Sequence, residues 1–146
     1  MVTNPPDDLP CSTIVYRLIL RRGWIDPDTN KVKADAFMRR PPGRLESGEI
    51  DPMNPRDNNG LSVFDSYRIG ERACIETLGT CYGLATLHVG TLLDHGLILV
   101  RDPEDFQRIL IKNAPFEDTR DAEQLDIAAT MAKTARIRWQ GKWKKN

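Results

Sequence analysis

The first apolar run, CSTIVYRLIL, sets Ile14, Tyr16 and Leu18 on one side of an extended chain and Val15 and Ile19 on the other. Apolar residues on both sides of a period-two pattern predict a strand over residues 12–20 buried on both faces. Arg21-Arg22-Gly23 ends it. Asp26-Pro27-Asp28-Thr29-Asn30 is a dense turn signal, and residues 32–38 resume with strand-like or short helical character. Leu61-Ser62-Val63-Phe64 reads as a short central strand. ERACIETLG fits a short helix with Cys74, Ile75 and Leu78 on one face and Gly79 as its stop. YGLATLHV, LILVRDP and FQRILIKNAP are further strands, with GTLLDHG as a helical turn after the first of them. Leu97, Leu99, Ile109 and Ile111 are the expected centre of the core. Asp118 or Thr119 caps a helix over 119–135 whose apolar stripe is Leu125, Ala128, Ala129 and Ala132.

Between the strands lies RRPPGRLESGEIDPMNPRDNNG, residues 39–60. Four prolines, three glycines and only Leu45, Ile50 and Met53 as large aliphatic or thioether side chains predict a long loop without regular structure. Strands and helices that interleave after a strand-rich start imply an α+β fold: a small mixed β-sheet with helices packed mainly on one face and a long irregular loop after the first strands. The expected organisation is an extended lead-in over 1–10, a single domain over 11–138, and a basic, tryptophan-bearing tail over 139–146.

At 146 residues the chain has the length of one domain, and 40% hydrophobic residues suffice for one core. The longest apolar run, residues 97–100, is far short of a membrane span, and residues 1–10 lack the basic and apolar regions of a secretory signal. Three cysteines, Cys11, Cys74 and Cys81, are too sparse for a disulfide framework and fit a reducing cytoplasm.

The 21 basic and 21 acidic residues cancel, which argues against nucleic-acid binding driven by bulk charge. Their distribution is uneven. Eight bases face three acids between Arg17 and Arg44, eight acids face three bases over 102–126, and six bases from Lys133 onward face no acid. Trp139 and Trp143 stand within that last basic stretch, beside Arg138, Lys142, Lys144 and Lys145. Indole rings among cations suit a clasp on an acidic partner. With Arg39, Arg40 and Arg44 of the loop, these are the expected binding residues, for a protein partner first and nucleic acid as the alternative, with no membrane.

Cys74, Cys81, His88 and His95 recur every seven residues, but structural zinc sites draw ligand pairs from tighter turns, so they read as core thiols and ordinary histidines. Asp26-Pro27-Asp28-Thr29-Asn30 resembles the opening of a calcium loop. Lys31 then stands where glycine is required, Lys33 where an apolar residue belongs and Phe37 where the bidentate glutamate belongs, which leaves an Asx-stabilised hairpin. No metal and no cofactor are expected.

No glycine-rich phosphate turn follows a strand, and neither a G-x-S-x-G elbow nor an H-E-x-x-H pair is present. Tyr16, Arg17, Ser62 and His88 are the candidate catalytic residues, with Glu76 a neighbour, should they meet in one cleft. A Tyr-Arg first strand followed by a short strand bearing a serine resembles single-domain ADP-ribosyl-transfer folds. That likeness implies a nucleotide or nucleic-acid substrate, but the glutamate or histidine set such folds need has no counterpart here. The expectation is therefore a cytoplasmic, non-catalytic binding or accessory protein that meets a macromolecular partner through its loop and basic tail. A small ADP-ribosyl-transfer-like enzyme is the alternative. Arg17, Ser62 and His88 converging in a pocket would favour the enzyme, and their dispersal the binding protein.

Overall fold

A computed structural model describes residues 9–145, so most of the expected lead-in lies outside the described residues. The elements run β1 (Ile14–Ile19), β2 (Leu61–Asp65), α1 (Glu71–Ile75), β3 (Thr80–His88), α2 (Val89–Asp94), β4 (Leu99–Asp102), β5 (Asp105–Ile111), α3 (Ala122–Thr134) and β6 (Arg136–Lys144). Short 3-10 turns at Arg22–Trp24 and Ala34–Phe37 follow β1. The fold is α+β, and the six strands form one open sheet in the order β4-β5-β2-β1-β3-β6. Every pairing between these strands is antiparallel, where a mixed sheet was expected. Only β4 and β5 are joined by a tight turn, while β1 and β2 are neighbours joined through residues 20–60.

Two apolar clusters flank the sheet. On one face Val15, Ile19, Leu61, Val63, Ala85, Leu87, Ile109 and Ile111 pack with Phe37, Leu92 and Met131, so that α2, α3 and the 34–37 turn cover this side. On the other, Tyr16, Leu18, Phe64 and Leu84 pack with Cys74 and Ile75 of α1 and with Trp139 and Trp143. The helices thus lie mainly on one face, and β1 is covered on both, as its sequence predicts. Leu97, Leu99, Ile109 and Ile111 are buried at the expected place.

Two expectations are corrected at the C-terminus. The helix is capped by Asp121, whose carboxylate accepts from the Glu123 N–H, and it ends at Ala135. Its buried residues are Ala128 and Met131, while Leu125 is 41% exposed, because the face turned to the 34–37 segment is the one carrying Ile127, Ala128 and Met131. Residues 139–144 are not a detached tail but part of β6, paired along β3 from Thr86↔Arg136 to Thr80↔Lys144. A bulge between Leu84 and Ala85 lets Ile137 join one cluster and Trp139 the other.

Residues 39–60 carry no helix or strand, as their composition predicts, with two isolated bridges, Arg39↔Phe116 and Arg44↔Ile50. Local turns lace them instead: Asp51 N–H donates to Gly43 O (2.8 Å), Gly43 N–H to Asn54 O (2.9 Å) and Asn58 N–H to Pro55 O (3.0 Å). The loop closes at Gly60, whose φ of +139° and contact with the Ile111 carbonyl admit no side chain.

Two stability measurements test this layout. Leu99→Ala should cost about 2–5 kcal/mol in urea unfolding, and a loss below about 1 kcal/mol would place β4 outside the core. Trp139→Ala should cost about 2 kcal/mol, less than for a fully buried ring, since the indole is only partly buried; no loss would mean β6 is only loosely attached.

Candidate anion-binding cavity

α1 is only five residues long and covers the second face only beside β1 and β3. Over the C-terminal end of β1 and over β2 and β5 that face stays open. There Leu18, Leu20, Ser62, Phe64 and Leu110 floor a cavity of about 580 Å³. Its walls are Arg40, Arg56, Asp57, Asn59 and Gly60 of the long loop, Asp102, Pro103 and Glu104 of the β4–β5 turn, and Leu78 after α1. Such a volume is ordinary for a ligand site. Beyond it the uncovered face continues apolar. Val100 pairs with Leu110, Phe106 precedes Arg108 on the same side of β5, and both Val100 (41%) and Phe106 (64%) are exposed.

The cavity is built around Arg17. Its strand neighbours Val15 and Ile19 face α3, yet its guanidinium reaches the cavity. Ladder pairing between β1 and β2 stops at Tyr16↔Phe64, and the Arg17 side chain occupies the gap where the strands separate. Nη1 donates to Ser62 O at 3.0 Å and Nε to Ala36 O at 2.7 Å. The Trp24 ring lies 5.4 Å from the guanidinium carbon. Arg17 is 6% exposed, and no ion pair joins it to a carboxylate among the described residues. Burial pulls its pKa down to about 10; Asp57 counters that fall and Arg40 adds to it. At neutral pH it remains a cation.

Around it the charges are mixed but predominantly positive: Arg17, Arg40, Arg56, Arg108 and Lys112 against Asp57, Asp102 and Glu104. Arg40 holds Asp57 through Nε (3.0 Å) and Nη2 (3.2 Å), and its backbone N–H donates to the same carboxylate at 2.8 Å. Burial would raise the Asp57 pKa, but these hydrogen bonds and the charges of Arg40 and Arg17 outweigh it and hold the carboxyl below its ordinary value. Arg108 stands 4.0 Å from Asp102 and 3.8 Å from Asp105.

Of the candidate catalytic residues, Arg17 and Ser62 meet here. Tyr16 points into the α1 cluster, where burial first and Glu71 second raise its phenol pKa. His88 is exposed at the far end of β3, opposite Ile14. Glu76 pairs with Arg72 on α1.

Of the expected binding residues, only Arg40 lines the cavity. Arg39 stacks on Phe116 at 3.8 Å and donates to Ala114 O, clasping the loop's start to the domain. Arg44 donates to Gly48 O within the loop. Arg138 pairs with Glu71 at 2.6 Å, Trp139 and Trp143 pack against the second cluster, and Lys142, Lys144 and Lys145 are exposed along the sheet edge.

The seven-residue series is not gathered. Cys74 and Cys81 are buried in the α1 cluster, the Cys74 thiol pushed up to about 12 by burial and by Cys81, while His95 lies exposed after α2. The Asp26 carboxylate accepts from the Asp28 and Thr29 N–H groups, and Asn30 adopts φ +58°, so this segment is the Asx-stabilised hairpin turn, closed by the Ile25↔Val32 bridge.

Sequence reasoning missed Trp24, Arg56, Asp57 and Arg108, which three separate segments bring to the same cavity. No protein-family model, curated protein or solved structure matches the chain.

The Asp57 clasp has a pH signature. Because its folded pKa is depressed, its contribution is full above the ordinary carboxyl value of about 3.9 and is lost as pH falls through the folded value. Asp57→Asn should therefore lower stability at pH 7 by up to about 1 kcal/mol, with the gap to wild type closing below about pH 4. A pH-independent gap would mean the carboxylate charge plays no part.

Proposed function

We propose that this domain is a non-catalytic binding module that holds a protein partner at the open face of its sheet, with the 39–60 loop as one wall of the site. The observation that carries this reading is Arg17, a buried guanidinium that lines a ligand-sized cavity and forms no ion pair with a carboxylate among the described residues. A buried charge left without a counter-ion is costly, and an incoming anion relieves that cost. The exposed apolar residues Val100 and Phe106 beside it suit a macromolecular surface.

The alternative is a small enzyme on a nucleotide or nucleic-acid substrate. Arg17 and Ser62 do converge in the cavity, but the two histidines lie outside it. Of its three carboxylates, Asp57 and Asp102 stand against arginines, and Asp57 is shifted away from neutrality. General acid–base work calls for a group tuned toward the working pH. The basic edge of β6 is a second proposed contact for an acidic partner, with nucleic acid as the alternative partner. No described helix is long and apolar enough to cross a membrane. The proposed setting is the cytoplasm, supported by three unpaired cysteines.

A photo-cross-linking amino acid in place of Asn59, at the cavity wall, should capture a discrete polypeptide in lysate of the native host. The same group in place of Ala129, exposed on α3, should not. Equal capture at both positions, or none at Asn59, would remove the cavity as the contact site. Turnover of a nucleotide by the wild-type protein, lost in Arg17→Gln, would favour the enzyme instead.

A further inference from the structure

Resting on the reading of the cavity as a partner-binding site, we infer that Arg17 is an oxyanion seat for a single carboxylate, borne by an acidic segment of the partner whose neighbouring apolar side chain lies on Leu18, Leu20, Phe64 and Leu110.

The donor inventory points to this chemistry. A guanidinium carries five N–H donors in a planar fork. At Arg17, Nε is committed to Ala36 O and one Nη1 hydrogen to Ser62 O. The other Nη1 hydrogen and both on Nη2 remain for the cavity. With Nε committed, side-on approach is closed, while end-on approach to Nη1 and Nη2 matches the two oxygens of a carboxylate. Trp24 beside the guanidinium, at 5.4 Å, and the two carbonyl bonds fix the fork before any ligand arrives. Little side-chain freedom is then left to lose on binding.

The same surroundings select a monoanion over a phosphate dianion. Arg40, the other cation on this wall close enough to act on Arg17, already forks onto Asp57. Asp57 itself is ionised and acts on Arg17 through space. A second negative charge on the ligand would meet that carboxylate, to which Arg40 is already committed. The floor is apolar apart from Ser62, so an anion attached to a hydrophobic body fits where a bare ion would leave Phe64 and Leu110 uncovered.

The test uses the full chain and three small probes: 3-phenylpropionate, its neutral amide, and phenyl phosphate. Each is titrated while the Arg17 side-chain N–H and the backbone amides are followed by NMR. The carboxylate should saturate with a Kd of about millimolar order and shift Arg17, Ser62 and Phe64 together. The amide should bind about tenfold more weakly or not at all, and phenyl phosphate more weakly than the carboxylate. Arg17→Gln should abolish binding. If that variant does not fold, Ser62→Phe, which fills the floor while leaving the Arg17 bonds to backbone carbonyls, should abolish it equally.

Equal binding of acid and amide, tighter binding of phenyl phosphate, or no saturation by the acid would each overturn the carboxylate seat. So would shifts confined to residues 142–145. These outcomes are separable from failure of the binding-module reading, which the Asn59 cross-link tests on its own. Cross-linking at Asn59 with equal binding of acid and amide would keep the module and discard the seat.

Discussion

The arrangement of the second sheet face depends on the placement of one buried cation. Arg17 stands in a central strand, where a β-branched or aromatic residue would ordinarily fill the space between sheet and cover. Its strand neighbours Val15 and Ile19 belong to the cluster that includes Met131 of α3, while its guanidinium reaches the cavity beyond the last β1–β2 pair. Two backbone carbonyls, of Ala36 and Ser62, accept its hydrogen bonds, so the cation ties the 34–37 turn to β2 across the first strand. Paired strands would satisfy Ser62 O through the ladder. Here the side chain does so, and the missing stretch of ladder opens the sheet beside the cavity.

The loop and the cavity follow from that opening. Arg39 clasps the start of residues 39–60 to Phe116 and Ala114, and Gly60 returns the chain beside Ile111. Between these fixed ends Asp57 is drawn inward by Arg40 and lies within electrostatic reach of Arg17. The loop is therefore irregular in backbone and specific in attachment: its polar groups are satisfied by turns, and its one inward carboxylate by an arginine from its own first residues. Neither Arg40 nor Asp57 binds Arg17 directly, and this leaves the deepest cation available to a ligand.

The strands were legible because burial on both faces writes long apolar runs, as in β1, and because turn residues punctuate them, as at Asp102-Pro103. The irregular loop was legible for the opposite reason, having prolines and almost nothing to bury. The helix stripe was partly misplaced because Ile127 and Met131 join Ala128 in the contact, while Leu125 faces outward. Partner geometry, not hydrophobicity alone, decides which face of a weakly amphipathic helix turns inward. The cavity was legible only in single members, Arg17, Ser62 and Arg40. The rest come from the turn after β1, the long loop, β5 and the β4–β5 turn, and only tertiary pairing makes them neighbours.

The basic C-terminus shows how one residue pattern admits two physical meanings. In RIRWQGKWK the period of two was present, with Ile137 and Trp139 separated by cations, yet the density of positive charge drew attention to a partner first. As β6, the segment is an outer strand of the sheet, with unpaired backbone groups along its free side. Lysines and arginines on such a strand repel a second copy of the same edge and keep it from extending the sheet, while the two indoles hold the strand down on the α1 cluster. Edge protection accounts for Arg136, Lys142 and Lys144 without any partner, and Arg138 is engaged by Glu71. Arg17 has no such explanation. Its burial brings it no carboxylate and its charge protects no edge, so the need for an outside anion is stronger at the cavity than anywhere along β6.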